Sequence, residues 1–411
     1  MSNVSKVQLK DLAVEMYQGI NTVADKVQYY DEGVKILQAK HITKGYIDFS
    51  DARNISREDY NKYKEKYQPR INDILMSNIG TIGKSILVEE EQQYVIAWNI
   101  FMIRLKESVY ARYINYYFQR LEKINYYEKF MTGNATKFIN KTTMAEIEFL
   151  LPPLKEQQKI AEILSSVDAA IEKTEQVIAK TEEVKKGLMQ QLLTKGIGHT
   201  KFKQTDIGNI PIKWKLLTLE SLCERVTRKN KSLNDNVLTI SAQHGLINQA
   251  EFFNKIVAGK NIESYYLLKQ GEFAYNKSYS KGYPFGVIRR LDRYEEGILS
   301  TLYICFKLKD EQTVTSDFIN NIFESGLLDS QFVGIAKEGA RAHGLLNIKV
   351  ADFFNIQIPI PSLEEQNKIS EVIKVMNIRI DSEEIKLKKL NEVKKGLMQQ
   401  LLTGQVRVKV D

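Results

Sequence analysis

Apolar residues recur at alternating steps of four and three positions along two long stretches of the chain, one starting at Ile160 and the other at Ile369. This spacing is typical of helices that carry a coiled-coil seam. A helix over either stretch is about 60 Å long at roughly 1.5 Å per residue, so we expect another helix to cover its seam. The predicted seam residues are Ile160, Leu164, Val167, Ile171, Ile178, Leu188 and Leu192 in the first helix, and Ile369, Ile373, Met376, Ile380, Leu387, Leu390, Leu397 and Leu401 in the second.

The two predicted helices are copies of one segment. The string VKKGLMQQLLT occurs at Val184–Thr194 and again at Val393–Thr403, and at this offset of 209 residues 22 of the 43 positions paired from Pro152 and Pro361 onward are identical. Each copy opens with proline followed by Glu and Gln, which are helix boundary signals. We expect the copies to pack on each other in opposite directions. A stripe buried under its own domain is the alternative.

The repeat organises the chain as block, helix, block, helix. We predict a first domain at residues 1–151, a central helix at 152–196, a second domain at 197–360, a C-terminal helix at 361–404 and a tail at 405–411. The expected fold class is α+β, with two α/β domains separated by two long antiparallel helices that form an intramolecular coiled coil. This plan contains a pseudo-twofold axis, a symmetry that many DNA-binding proteins obtain by dimerising.

Each block contains a strand, a glycine loop and a strand, at Asn72–Glu90 and at Gly271–Leu291, and a further loop ahead of its long helix, at Gly133–Thr143 and at Glu338–Lys349. Polar and basic side chains in such loops can bond base edges or phosphates, although an ordinary polar surface loop explains any one residue equally well. The candidate DNA-binding residues are Lys40, His41, Asn78, Thr81, Lys84, Asn134 and Lys137 in the first block, and Gln243, His244, Asn276, Lys277, Tyr279, Lys281, Arg341 and His343 in the second.

Charge and cysteine content narrow the class of protein only a little. The formal net charge of +8 and the pI near 9.0 favour a polyanionic partner modestly. Cys223 and Cys305 have no Cys or His neighbour at metal-ligand spacing, which fits a reducing cytoplasm and argues against a zinc site. The most apolar stretch, Tyr94–Ile103, is too short to span a bilayer. We therefore expect a cytoplasmic protein with no membrane partner.

The motifs that resemble catalytic sites are incomplete. GTIGKS at Gly80–Ser85 looks like the end of a phosphate-binding loop, but Asn78 stands where that loop needs a glycine. The four histidines are dispersed, and no NPPY-like or DPPY-like string for a flipped adenine occurs. We predict neither catalytic residues nor a metal site in this chain.

Taken together, these segments resemble the specificity subunit of type I restriction-modification systems. The resemblance rests on PLKEQQKI at Pro153–Ile160, on KKGLMQQLLT at the end of both helices and on the connector GHTKFKQTDIGNIPIKW at Gly198–Trp214, and it covers essentially the whole chain. It implies a noncatalytic subunit with two target recognition domains, each reading one half of a split target in double-stranded DNA. It also implies two modification subunits that methylate adenine with S-adenosylmethionine, and restriction subunits that use ATP and magnesium to translocate and cut DNA. This chain itself is expected to bind none of these cofactors.

One departure and two alternative functions stay open. The first block begins with VQLKDLAVEMYQG and lacks the P-x-x-W entry that the second block has at Pro211–Trp214. A stand-alone DNA methyltransferase or nuclease would need a catalytic or cofactor motif. A coiled-coil interaction protein without DNA sequence specificity would not need two large, divergent blocks. The target sequence and spacer length are not predicted, because they depend on loop geometry and DNA shape.

Overall fold

The two long helices are present, and they are shared between two compact units. The computed structural model describes residues 5–131, 137–241, 245–253, 262–279, 282–336 and 346–410. Contacts divide the chain into unit 1, residues 1–175 and 385–411, and unit 2, residues 176–384. Both boundaries fall inside the long helices. The predicted plan treats each helix as a segment of its own, whereas the contacts assign each part of a helix to the unit on which it packs.

Unit 1 combines short strands with short helices ahead of the first long helix. In chain order its elements are β1 (Ser5–Gln8), α1 (Leu9–Leu12), β2 (Ala13–Gln18), β3 (Val34–Leu37), β4 (Arg53–Ile55), α2 (Arg57–Tyr67), β5 (Ile74–Ser77), β6 (Ser85–Leu87), β7 (Tyr94–Ile96), β8 (Ile100–Leu105), α3 (Ala111–Lys123), α4 (Lys141–Ala145) and β9 (Glu148–Leu151). Two 3-10 turns lie at Ala39–Ile42 and Tyr126–Phe130. The first long helix, α5, follows at Leu154–Lys195 and has 42 residues.

Unit 2 follows the same general plan. Its elements are β10 (Phe202–Thr205), β11 (Gly208–Pro211), β12 (Lys215–Thr218), α6 (Leu219–Leu222), β13 (Cys223–Arg225), β14 (Leu238–Ser241), β15 (Gly245–Asn248), α7 (Gln249–Phe253), β16 (Tyr266–Lys269), β17 (Phe273–Asn276), β18 (Val287–Arg290), β19 (Glu296–Leu299), β20 (Ile304–Leu308), α8 (Ser316–Glu324), α9 (Asp329–Ile335), α10 (Val350–Phe354) and β21 (Gln357–Ile360). The second long helix, α11, is Leu363–Leu402 and has 40 residues.

The central sheets of the two units have equivalent topology. Unit 1 has an antiparallel sheet in the order β2-β8-β5-β6, and unit 2 has one in the order β13-β20-β17-β18. In each unit the strand directly before the first short helix pairs with the last strand of the block, β1 with β9 and β12 with β21. The hairpin β10–β11 has no counterpart in the described part of unit 1. The blocks are therefore divergent copies of one architecture, and the connector adds a hairpin to the second.

The inner strand β5 of the central sheet of unit 1 is covered on both faces. All four residues of β5 are buried, and the first three alternate between two apolar clusters. Ile74 and Met76 pack with α3, whereas Leu75 packs with residues of β3, β7 and β8. A strand that is buried on both faces has a nearly continuous apolar sequence. This places the polar end of β5, and the loop after it, at the edge of a rigid core.

Parts of the two long helices pack in opposite directions within each unit. In unit 1, Ile160 and Leu164 of α5 share a core with Met398 and Leu401 of α11, and Lys394 Nζ lies 2.6 Å from Asp168 Oδ1. In unit 2, Met189 and Leu193 of α5 share a core with Ile369 and Ile373 of α11. Residue numbers rise along one helix as they fall along the other. The predicted α+β fold class with antiparallel long helices is confirmed.

The buried stripe drifts away from the predicted seam along each helix. Of the predicted seam residues, Ile160, Leu164, Ile369, Ile373 and Leu401 are buried. The remaining predicted seam residues, Val167, Ile171, Ile178, Leu188, Leu192, Met376, Ile380, Leu387, Leu390 and Leu397, are half-buried.

The cause of the drift is the period of the helix. A straight helix with 3.6 residues per turn rotates about 20° per heptad against a seam counted at 3.5. Over the four heptads from Ile160 to Leu188 this amounts to roughly 80°, close to the ~100° that separates consecutive residues. Accordingly Met189 and Met398, each one residue further on, are the buried residues.

Candidate nucleic-acid interface

The structure joins the glycine loop of unit 1 to the loop that precedes its long helix. The loop after β5 and the segment before α4 are linked by backbone hydrogen bonds from Ile139 N to Asn78 O, at 3.0 Å, and from Gly80 N to Lys137 O, at 3.2 Å. Unit 2 makes the equivalent contact after β17, where Leu346 N donates to Lys277 O at 2.9 Å. In each central sheet the two candidate loops therefore meet at the end of one inner strand, β5 in unit 1 and β17 in unit 2.

Asn78 and Lys277 occupy equivalent places but differ in chemistry. Asn78 is 2% exposed, and its Oδ1 has no hydrogen-bond partner among the described residues. Lys277 is half-buried, and burial together with the neighbouring charge of Arg225 lowers the pKa of its ammonium group. A buried polar atom without a partner and a cation beside a second cation are both costly in isolation. The cost at Lys277, which is half-buried, is relieved by a ligand that supplies a negative charge.

The other candidates of the Asn78 loop lie at the surface. Thr81 and Lys137 are exposed. Lys84 is half-buried and forms an ion pair with Glu122, with Nζ 2.8 Å from Oε1, so its charge is partly neutralised. Tight packing fixes the turn, because a Cβ added at Gly83, where φ is +89°, would lie 2.4 Å from the ring of Tyr127.

His41 and Lys40 are placed less favourably for contact with DNA. His41 is buried; its Nδ1 accepts a hydrogen bond from Gln38 N at 2.9 Å, and its Nε2 lies 3.1 Å from Asp51 Oδ1. Burial lowers the pKa of His41, and Asp51 opposes that shift. Lys40 is exposed and forms an ion pair with Asp51. Both remain predictions, but His41 is held as a structural residue in this arrangement.

The candidates of unit 2 are only partly within the described residues. Tyr279 is exposed, and the half-buried Asn276 accepts a hydrogen bond from Ser278 N at its Oδ1, at 3.1 Å. This bond shapes the start of the loop. The remaining candidates, Asn134 of unit 1 and Gln243, His244, Lys281, Arg341 and His343 of unit 2, lie outside the described residues.

Sequence reasoning missed a basic cluster in unit 2, in which Arg225 and Lys229 both contact Tyr266. Arg225 Nη2 donates to Tyr266 Oη at 3.3 Å, and Lys229 Nζ lies 4.3 Å from the centroid of the Tyr266 ring. Lys277 lies close enough to Arg225 for their charges to interact. No carboxylate within the described ranges forms an ion pair with Arg225, Lys229 or Lys277. Their spacing along the chain carries no signal, because the fold alone brings them together.

A second missed residue, Trp98, lies beside the Asn78 loop. It occupies the turn between β7 and β8 and is 40% exposed. Gln18 Nε2 donates to Trp98 O at 2.6 Å, and Asn78 N donates to Asn99 O at 3.3 Å. An exposed indole beside polar groups can pack on a sugar or a base while neighbouring groups form hydrogen bonds.

The described residues show neither a candidate metal centre nor a membrane span. No group of three or more His, Cys, Asp or Glu side chains is arranged to hold a metal ion in the ranges that the structure describes. No helix in those ranges is long and apolar enough to cross a membrane. Cys223 and Cys305 are both buried, and burial raises the pKa of each thiol to about 12.

Comparison with known proteins agrees with this architecture. Residues 1–183 match the family described as the type I restriction modification DNA specificity domain. The type I restriction enzyme MjaVIII specificity subunit of Methanocaldococcus jannaschii is 28% identical, over 82% of this chain and 80% of its own length. The MjaX specificity subunit of the same organism is 26% identical, over 98% of this chain and 93% of its own length.

Solved structures show the same fold. A type I restriction-modification system S subunit from M. genitalium aligns with a TM-score of 0.56 at 14% identity, over 98% of this chain and 96% of that one. A structure from work on the assembly and conformational transition of the type I restriction-modification system aligns at 0.53 with 13% identity, over 97% of both chains. Two divergent α/β units on long antiparallel helices are the fold that this chain shares with both structures. The chain is similar to type I restriction-modification specificity subunits over most of its length, and its first 183 residues match their DNA specificity domain.

Proposed function

We propose that this chain reads a bipartite target in double-stranded DNA and catalyses no reaction itself. Unit 1 reads one half of the target and unit 2 reads the other. The observation that carries the proposal is the equivalent placement of two unlike loop sites, one containing Asn78 and the other Lys277, at the end of one inner strand of each central sheet. Equivalent positions with different side chains suit two readers of different sequences.

Recognition combines phosphate contacts with base contacts. Lys137 in unit 1 and Arg225, Lys229 and Lys277 in unit 2 supply positive charge for phosphates, which sets the register of each unit on the duplex. Asn276 and Tyr279 supply polar groups for base edges. The buried Asn78 holds the loop in place, since its backbone oxygen accepts a hydrogen bond from Ile139 N. Trp98 supplies an apolar surface against which a sugar or base packs.

The chemistry belongs to partner subunits in this proposal. Two modification subunits methylate adenine with S-adenosylmethionine, and restriction subunits use ATP and magnesium to translocate and cut DNA that lacks the methyl groups. The support is the similarity of the chain to type I specificity subunits. The helices α5 and α11 provide the docking surface for the modification subunits and determine the number of base pairs between the half-sites.

Selection of DNA from a random library by the complex of this chain with its modification subunits tests the proposal. The expected result is enrichment of two short fixed sequences separated by a spacer of fixed length and variable sequence, each with one methylated adenine. The purified chain incubated alone with DNA, magnesium and S-adenosylmethionine should neither methylate nor cut. Enrichment of one continuous sequence, binding that ignores sequence, or turnover by the chain alone would each refute the assignment.

A further inference from the structure

The start of α5 in unit 1 is tied to the segment that follows α11. Glu156, in the first turn of α5, is 2% exposed. Arg407 donates from Nε to Glu156 Oε1 at 2.8 Å and from Nη2 to Oε2 at 2.5 Å, and Val408 N donates to Oε1 at 3.2 Å. A buried carboxylate held by a guanidinium fork and a backbone amide fixes both the distance and the orientation of the two segments.

Unit 2 contains the equivalent junction with different donors. Glu365, in the first turn of α11, lies 209 residues after Glu156. Its Oε1 accepts from Ile197 N at 2.9 Å and its Oε2 accepts from Trp214 Nε1 at 3.1 Å. His199 Nε2 lies 3.0 and 3.1 Å from the two carboxylate oxygens. The same carboxylate of the repeat is therefore clamped in both units.

The segments that supply these donors leave their helices in the same way. Each long helix is followed by a glycine in the left-handed region, Gly196 directly after α5 with φ +67° and Gly404 one residue further on after α11 with φ +72°. The side chain three residues further on is His199 in one case and Arg407 in the other, and both reach the clamped carboxylate. The C-terminal segment 404–408 is thus the structural counterpart of the connector after α5.

We propose that segment 404–408 is a latch, with Arg407 as its positioning residue, that fixes the register between the start of α5 and the end of α11. The proposal rests on the proposed function, since a fixed register within unit 1 contributes to a fixed spacing of the half-sites. Sliding of α11 by one residue moves its end by about 1.5 Å, which is enough to break a bidentate hydrogen bond. Release of the segment leaves Glu156 without its cation, so the latched arrangement is strongly favoured.

The latch is tested first without DNA, by hydrogen exchange on the full chain. Arg407→Gln should speed exchange of the amides of residues 397–408 at least tenfold, while amides 189–199, in the equivalent junction of unit 2, keep their protection. Lys409→Gln is the matched control, because it removes one positive charge next to the segment but leaves the clamp intact. Unchanged exchange at 397–408 in Arg407→Gln would overturn the latch whether or not the chain binds DNA.

The second readout is the spacer preference of the complex with its modification subunits. Binding to targets with the preferred spacer is compared with binding to targets one base pair shorter or longer. Arg407→Gln should reduce the ratio of these affinities about tenfold, the scale of one charge-assisted hydrogen bond. Arg407→Lys, which keeps the charge but not the fork, should recover part of the ratio, and Lys409→Gln should retain all of it.

The ratio separates positioning from a general loss of stability. An unstable variant has less active protein but keeps the same preference among spacers, so an unchanged ratio in Arg407→Gln would refute the positioning role. Failure of the wild-type complex to select a split target would instead refute the proposed function. The hydrogen-exchange result stands independently of that failure.

Discussion

The Glu-Gln pair that opens each long helix has two distinct sets of partners. Gln157 Oε1 accepts a hydrogen bond from Tyr110 N at the start of α3, and Gln366 Oε1 accepts one from Thr315 N at the start of α8, at 2.9 and 2.8 Å. The glutamates are the clamped carboxylates. Sequence reasoning identified these residues only as helix boundary signals, because their partners lie far away along the chain.

The buried carboxylate of Glu156 predicts a pH dependence of stability. Its hydrogen bonds with Arg407 lower its pKa below the ordinary value of 4.5. A carboxylate with a lowered pKa in the folded state stabilises the fold above the unfolded-state value, and this contribution is lost as the pH falls through the folded-state value. Glu156→Gln should therefore cost roughly 1–3 kcal/mol of unfolding free energy at neutral pH, and the difference from wild type should shrink below pH ~4.5.

Urea denaturation at a series of pH values measures this difference. Glu183→Gln is the control, since Glu183 pairs with Lys180 on an exposed face of α5 and its pKa is also lowered. That variant should show almost no change in stability at any pH, because solvent screens an exposed pair. A cost for Glu156→Gln that stays constant from neutral pH to pH 3 would contradict the assigned electrostatic role.

The basic cluster of unit 2 predicts a salt-dependent effect on DNA binding. Arg225→Gln should weaken binding by a similar factor for all DNA sequences and lower the slope of log affinity against log salt by about one, as expected for one lost phosphate contact. Lys307→Gln removes the same charge from a lysine whose Nζ lies 2.9 Å from Glu224 Oε1, so its effect should be smaller. Fluorescence anisotropy at several salt concentrations decides between them. If the slope of log affinity against log salt is the same for Arg225→Gln and wild type, Arg225 does not contact a phosphate.

At the scale of the elements, the drift of the buried stripe predicts which helix substitutions matter. Met189→Asp in unit 2 and Met398→Asp in unit 1 place a carboxylate in an apolar core, and each should cost about 2–5 kcal/mol. Val184→Asp and Val393→Asp change exposed residues on the same two helices and should stay within about 0.5 kcal/mol of wild type. Urea denaturation of the four variants gives the comparison. A large cost at Val184 or Val393 with none at the methionines would show that the packed face is wrongly assigned.

The elements that sequence reasoning predicted best are those with a long periodic pattern. Both long helices were predicted to within about two residues of their observed starts, and the strands that follow the two glycine loops were expected where they occur. The exact buried face was missed, because a seam counted at 3.5 residues per turn departs from a straight helix over several heptads. The equivalence of Asn78 and Lys277 was also missed, since it depends on strand pairing rather than on spacing.

At the scale of the whole molecule, the continuity of α5 and α11 through both units predicts a relation between helix length and spacer length. Inserting four residues into the middle of both helices adds roughly 6 Å, and should lengthen the preferred spacer by about two base pairs at ~3.4 Å each. Four residues rotate a helix by about 400°, so the apolar stripe returns nearly to its original face. Library selection with the enlarged complex measures the spacer. An insertion in α5 alone is the control, which should disrupt packing rather than shift the preference.

The duplication accounts for what could be predicted at this scale. A repeat of 22 identities in 43 positions indicates two similar helices and hence two similar blocks. It does not indicate that segment 404–408 returns to Glu156, because that segment and the connector after α5 share only a glycine and a donor side chain. It also gives no information on which loop residues are buried, as His41 illustrates.

The contrast between the two tryptophans gives each unit its own optical reporter. Trp98, in unit 1, is 40% exposed, whereas Trp214, in unit 2, is buried and donates its indole N–H to Glu365. Their emission therefore differs in wavelength and in accessibility to a quencher such as iodide. Changes beside the Asn78 loop of unit 1 and opening of the Glu365 junction of unit 2 can thus be followed separately in one unlabelled sample. The variants Trp98→Phe and Trp214→Phe assign the two signals.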